Sequence, residues 1–150
     1  MPSLDNMMLR QIIMDHYENP RNRELVEDDS YKKVNMDSET CIDNIDIQAK
    51  IENGVIEDIR FDGEACAICT SSTSIMTELL IGKTIDEARV IIENYMNMIF
   101  EKDYDPEILE EAIAFYNTHK QANRIKCATL GWKGITQLID ESEKEDTHGK

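Results

Sequence analysis

The stretch Ile45-Asp46-Ile47-Gln48-Ala49-Lys50-Ile51-Glu52-Asn53-Gly54-Val55-Ile56-Glu57-Asp58-Ile59-Arg60-Phe61 decides the fold. Ile45, Ile47, Ala49 and Ile51 alternate with Asp46, Gln48 and Lys50, the pattern of a strand with one face buried. Asn53-Gly54 is a strong signal for a tight hairpin turn. The chain then returns over Val55–Phe61, with Ile59 and Phe61 facing inward. A short strand at Val34–Met36 is placed to pair as a third. The loop holding Cys41 precedes the hairpin and the loop Gly63–Cys69 follows it. Antiparallel pairing brings both loops to the same end of the sheet.

Working outward, the other segments have helical periodicity. Residues 4–18 carry a stripe of Leu4, Met8 and Ile12, joined less regularly by Leu9, Ile13 and Tyr17. Asn19-Pro20 ends it, because a residue before proline is pushed out of the α region. Residues 21–33 are polar and read as a loop. Residues 71–81 carry Ile75, Met76, Leu79 and Leu80 and stop at Gly82. Thr84-Ile85-Asp86-Glu87 is a capping box. It opens a helix with Ile85, Ala88, Ile92, Tyr95 and Ile99 on one face. Asp105-Pro106 sets an N-cap and a first-turn proline before a helix with Leu109, Ala112, Ile113 and Tyr116. A last helix is expected over Ala128–Ile139. The predicted fold is α+β, a small three-stranded antiparallel sheet with helices packed on one face. One domain spans residues 1–140, and the charged residues 141–150 read as a flexible tail.

The chain has 150 residues, enough for one domain with a real core, and 41% of them are hydrophobic. Its formal net charge of -15 argues against nucleic acid and anionic lipid as partners and favours a basic docking surface on a protein. No run is long and apolar enough for a membrane span, and Met1-Pro2-Ser3-Leu4-Asp5-Asn6 has no signal-peptide pattern. The expected compartment is the cytoplasm. Cysteines stay reduced there, which favours metal or catalytic roles over structural disulfides.

The chemistry rests on four cysteines. Cys41 is followed by Asp43, and Cys66 and Cys127 lie in separate segments. Three thiolates and one carboxylate converging from three directions make a four-coordinate metal site. Cys69 completes a Cys66-x-x-Cys69 spacing, which suits redox dithiols and zinc knuckles alike. The run Thr70-Ser71-Ser72-Thr73-Ser74 reads as the polar opening turn of a helix whose dipole and free amides suit a sulfur anion. Cys127 follows Arg124-Ile125-Lys126, whose cations favour a thiolate. On residues alone these thiols hold metal, carry sulfur or pack as small apolar groups. His16, His119 and His148 show no ligand spacing and are assigned no metal.

Four motifs carry a resemblance over nearly the whole length. They are Ile13-Met14-Asp15-His16-Tyr17-Glu18-Asn19-Pro20-Arg21-Asn22, Cys41-x-Asp43, Phe61-Asp62-Gly63-Glu64-Ala65-Cys66, and Arg124-Ile125-Lys126-Cys127-Ala128-Thr129-Leu130-x-Trp132. The chain resembles the SufU branch of the IscU/SufU, NifU N-terminal-like, iron–sulfur cluster assembly proteins. The resemblance implies zinc held by Cys41, Asp43, Cys66 and Cys127. It implies that Cys41 takes persulfide sulfur from a pyridoxal-phosphate cysteine desulfurase of SufS type and that downstream cluster-assembly proteins receive it. Arg124 and Lys126 would offset part of the site's negative charge. Lys126 stands where classical IscU scaffolds have histidine, their Leu-Pro-Pro motif is missing, and residues 100–123 look like a SufU-type insertion. All three favour sulfur transfer. The alternatives are a scaffold for a transient iron–sulfur cluster on the same ligands, and a zinc-stabilised interaction domain without sulfur chemistry. Cys69 stands where the branch commonly has serine, and is read as a second acceptor, a substitute ligand or a small buried residue.

Overall fold

The protein was analysed as a computed structural model that describes residues 6–39 and 42–148. Strands β1 (Lys32–Asp37), β2 (Asn44–Glu52) and β3 (Val55–Glu64) form one antiparallel sheet in the order β1-β2-β3. Ile47 lies opposite Val34 on one side and Phe61 on the other. Ile45, Ile47, Ala49, Ile59 and Phe61 are all buried, as alternation requires. The turn is made by Asn53 at φ 54° and Gly54 at φ 75°. Gln48 departs from the expected polar face. It is buried, and its side-chain amide accepts the Val26 N–H at 2.9 Å and donates to the Val26 carbonyl at 2.8 Å.

Among the described residues, four α-helices join the sheet: α1 (Asn6–Glu18), α2 (Ala67–Leu80), α3 (Ile85–Ile99) and α4 (Ala122–His148), with 3-10 segments at Glu107–Phe115 and Thr118–Lys120. α4 packs on β1 and β2, and α2 packs on β3 and α4. The approach of α4 to the sheet depends on Gly134, where a Cβ would lie 2.5 Å from Ile47 Cδ1. The core beneath the helices holds Trp132, Tyr95, Phe61 and Phe115. The Tyr95 and Trp132 rings stack at 3.9 Å and 6°. The capping box at Thr84 is present in both directions. Among the described residues, no helix is long and apolar enough to cross a membrane.

Four elements differ from the sequence expectation. α1 buries Leu9 and His16 rather than the Met8 stripe, and Met8 is exposed; Leu4 lies outside the described residues. α2 begins at Ala67, four residues before the expected start, because Cys66 caps it. The segment after Pro106 is a 3-10 helix, Glu107–Phe115, interrupted by Glu110 at φ 47° and ψ -123°. α4 starts at Ala122 and continues to His148, beyond Ile139. Charged residues such as Glu and Lys are good helix formers, and Arg89 on α3 ties the extension down through Asp140 and Glu143.

Candidate metal centre

Asp43 immediately precedes β2, and Cys66 lies two residues past the end of β3. Because Asn44 pairs with Glu64, the two residues adjoin at one end of the sheet. Gly63 makes this junction at φ 136°, and a Cβ there would lie 2.3 Å from the Asn44 carbonyl oxygen. The Cys66 amide donates to Asp43 Oδ1 at 2.7 Å, and its thiol faces Oδ2 at 3.7 Å. Cys127 reaches the same point from the second turn of α4. One ligand atom each from Asp43, Cys66 and Cys127 lies within 4.8 Å of the others.

Cys66 is the N-cap of α2, in extended conformation, and its sulfur accepts the Cys69 amide at 3.4 Å. The positive end of the α2 dipole therefore points at the cluster. Asp43 is fully buried, and the only partners recorded for its carboxylate among the described residues come from Cys66. A buried carboxylate with no cation beside it is costly. One oxygen and two sulfurs converging on a common point form a donor set that fits zinc. The three described cysteines are free of disulfides.

The other expected site residues are placed as follows. Cys41 lies outside the described residues. The ends of its loop are tied where the Ser38 amide donates to the Asp43 carbonyl at 3.0 Å. Cys69 is fully buried in the first turn of α2. Arg124 and Lys126 are exposed on the first turns of α4. Thr70–Ser74 do not form an open turn facing a sulfur anion. They sit inside α2 and are buried.

That buried hydroxyl run positions the cluster instead. Ser72 Oγ donates to the Ala128 carbonyl at 2.6 Å, next to Cys127, and accepts from Trp132 Nε1 at 3.0 Å. The Tyr95 hydroxyl donates to the same carbonyl at 2.8 Å, and burial pushes its ionisation well above the ordinary range, so it stays a neutral donor. Thr73 faces Gly131, where a Cβ would lie 2.4 Å from Thr73 Oγ1. These contacts fix α4 against α2 and hold Cys127 beside Cys66.

A second group of ligating atoms joins His16, Glu78 and Glu111 at the other end of α2. His16 is fully buried. Its Nδ1 lies 2.8 Å from Ser74 Oγ, and its Nε2 lies 3.3 Å from Glu111 Oε1. Spacing among histidines could not reveal this arrangement, because its partners come from 58 and 95 residues away. The available signal was a histidine on the apolar side of α1 among the core residues Leu9 and Ile13. The side chains of His119 and His148 lie outside the described residues.

Comparison with known proteins matches residues 8–146 to the NifU-like N-terminal domain family. The chain is 38% identical to the zinc-dependent sulfurtransferase SufU of Bacillus subtilis, over 91% of this chain and 92% of that protein. It is 31% identical to the iron–sulfur cluster assembly scaffold protein IscU of Streptococcus pyogenes, over 91% of this chain and 86% of that one. Its fold is similar to the crystal structure of a Fervidobacterium islandicum protein assigned as a SufU scaffold for the SUF system. The TM-score is 0.78 and the identity 29%, covering 86% of this chain and 94% of the other.

Proposed function

The chain belongs to the NifU-like N-terminal domain family, as a SufU-type member of the iron–sulfur cluster assembly proteins, and from that premise we propose that it is a zinc-dependent sulfur acceptor. It takes persulfide sulfur from a cysteine desulfurase and passes it on for cluster assembly in the cytoplasm. The observation that carries this reading is the buried Asp43 carboxylate set against Cys66 and Cys127, with ligand atoms within 4.8 Å. Asp43, Cys66 and Cys127 are three of the ligands, and Cys41, two residues before Asp43 in sequence, is the fourth. Bound zinc would hold these thiols as thiolates and shield them from oxidation.

The chain's own residues perform the transfer. The Cys41 thiolate attacks the outer sulfur of the partner's cysteine persulfide. The partner's S–S bond breaks, a new S–S bond forms on Cys41, and the partner cysteine leaves as a thiolate. No net oxidation occurs. The Cys66 amide keeps Asp43 oriented, and the α2 N-terminus favours negative charge at Cys66. Arg124 and Lys126 offset part of the site's negative charge. A net charge of -15 fits a desulfurase with a basic docking surface.

Cys41→Ser tests the reading. It should abolish stimulation of a cysteine desulfurase with the fold intact, and full retained stimulation would sink the proposal. The similarity to an IscU scaffold favours a second reading, assembly of a transient iron–sulfur cluster as cargo on the same thiols. Metal analysis with an absorption spectrum separates them. A colourless chain with zinc supports sulfur transfer, and a brown chain with iron and sulfide supports the scaffold.

A further inference from the structure

Cys69 is a nucleophilic side chain that neither the metal ligands nor the transfer step uses. It is fully buried, whereas Cys66, three residues earlier, is half-buried at the surface of the cluster. We infer that Cys66 and Cys69 form a dithiol that a hydroperoxide converts to an intramolecular disulfide, a modification site separate from sulfur transfer.

The geometry comes from the start of α2. Cys66 is the N-cap, with φ -70° and ψ 172°, and Cys69 is in the first turn. Cys66 Sγ is already 3.4 Å from the Cys69 nitrogen, two covalent bonds from the Cys69 Cβ. Positions three apart on one helical turn fall within the span of about 4.4–6.8 Å that a disulfide requires between Cα atoms. Cys-x-x-Cys at a helix start is also the spacing of redox dithiols. Cys127 reaches the same cluster from α4 and is the competitor for Cys66.

Exposure orders the steps. The sulfur of Cys66, the less buried of the two residues, attacks the hydroperoxide oxygen. The O–O bond breaks, an alcohol (or water, from hydrogen peroxide) leaves, and Cys66 becomes a sulfenic acid. The Cys69 sulfur attacks the Cys66 sulfur, an S–S bond forms, and water leaves. Two thiols lose two electrons and two protons, and the hydroperoxide is reduced. The Cys66 sulfur is then removed from the cluster until a thiol reductant restores it.

The sequence makes this readable by tryptic mapping. Cys66 and Cys69 share the peptide Phe61–Lys83, while Cys41 lies on Val34–Lys50 and Cys127 on Cys127–Lys133. The full chain, freed of zinc with a chelator, is treated with stoichiometric hydrogen peroxide, alkylated and digested, and a zinc-loaded sample run alongside should form the same disulfide more slowly. The expected result is a Phe61–Lys83 peptide lighter by two hydrogens, with both alkylation sites lost and restored by dithiothreitol. Cys69→Ser should instead carry oxygen on Cys66. A peptide cross-linked to Val34–Lys50 or Cys127–Lys133 would overturn the inference. So would oxygen on Cys66 with Cys69 still alkylated, or no oxidation. Zinc release accompanying the disulfide is read separately. A disulfide that forms with no effect on bound zinc counts against Cys66 as a ligand, not against the dithiol.

Discussion

The two ends of α2 each gather three ligating side chains, and they differ in what already satisfies them. At the N-terminal end, Asp43 is buried and its carboxylate meets, among the described residues, the amide and thiol of Cys66. At the C-terminal end, Glu78 and Glu111 are about half exposed, and Arg21 lies 3.7 Å from Glu78. His16 there is held by Ser74, whose hydroxyl also accepts the Arg21 amide at 2.8 Å. Proximity of ligand atoms is common to both ends. Soft donors and a buried carboxylate with no cationic partner among the described residues belong to the first alone, and those features make it the candidate metal centre. The second end is a structural knot that joins α1 to α2.

The largest expected effect separates the two ends by zinc affinity. Cys66→Ala or Asp43→Ala should weaken zinc binding at least ~100-fold, measured by chelator competition, since losing a ligand costs more than losing a supporting contact. The double substitution Glu78→Ala with Glu111→Ala should leave that affinity unchanged; a comparable loss would erase the distinction. Zinc should also stabilise the chain by about 2.7 kcal/mol at a hundredfold excess over Kd, read as a rise in Tm, and Cys66→Ala should abolish that rise.

Smaller effects test the supports. Gly131→Ala drives a methyl against Thr73 and should cost roughly 1–3 kcal/mol in denaturant unfolding. It should also weaken zinc binding by displacing Cys127. His16→Ala should cost roughly 1–3 kcal/mol by leaving Ser74 without one partner, with zinc binding preserved. The smallest effect concerns pH. The Arg21 hydrogen bond holds the exposed Asp15 carboxyl below its ordinary value. A lowered folded value means its contribution is complete above the ordinary value of about 4 and is lost as pH falls through the lowered one. Asp15→Asn should therefore lower Tm slightly at neutral pH, with the difference from the parent shrinking as pH falls, so that the acid limb of the Tm–pH profile is flatter.

The parts legible in the sequence were those set by local rules. Alternation over Ile45–Ile51 with Asn53-Gly54 specified the hairpin, and the Thr84–Glu87 box specified the start of α3. The antiparallel hairpin also implied that Asp43 and Cys66 would adjoin. The start of α2 was hidden because a cysteine sulfur does the capping that hydroxyls and carboxylates usually do. Thr70–Ser74 looked like capping residues, yet they are buried: Ser72 meets Ala128 and Trp132 and Ser74 meets His16, all distant in sequence, while Thr70 and Ser71 bond back to the preceding turn. The 3-10 segment escaped because Leu109, Ala112 and Ile113 bury equally well on either kind of helix. The α4 extension escaped because polarity marks solvent exposure and does not stop a helix.

The central claim is that Cys41 is the sulfur acceptor while Asp43, Cys66 and Cys127 are not. The direct test is to mix the chain with a cysteine desulfurase and cysteine, trap persulfides and map them by tryptic peptide. One added sulfur on Val34–Lys50, which carries Cys41, is the expected result. Added sulfur on Phe61–Lys83 or Cys127–Lys133 instead, or none on any peptide, would contradict it.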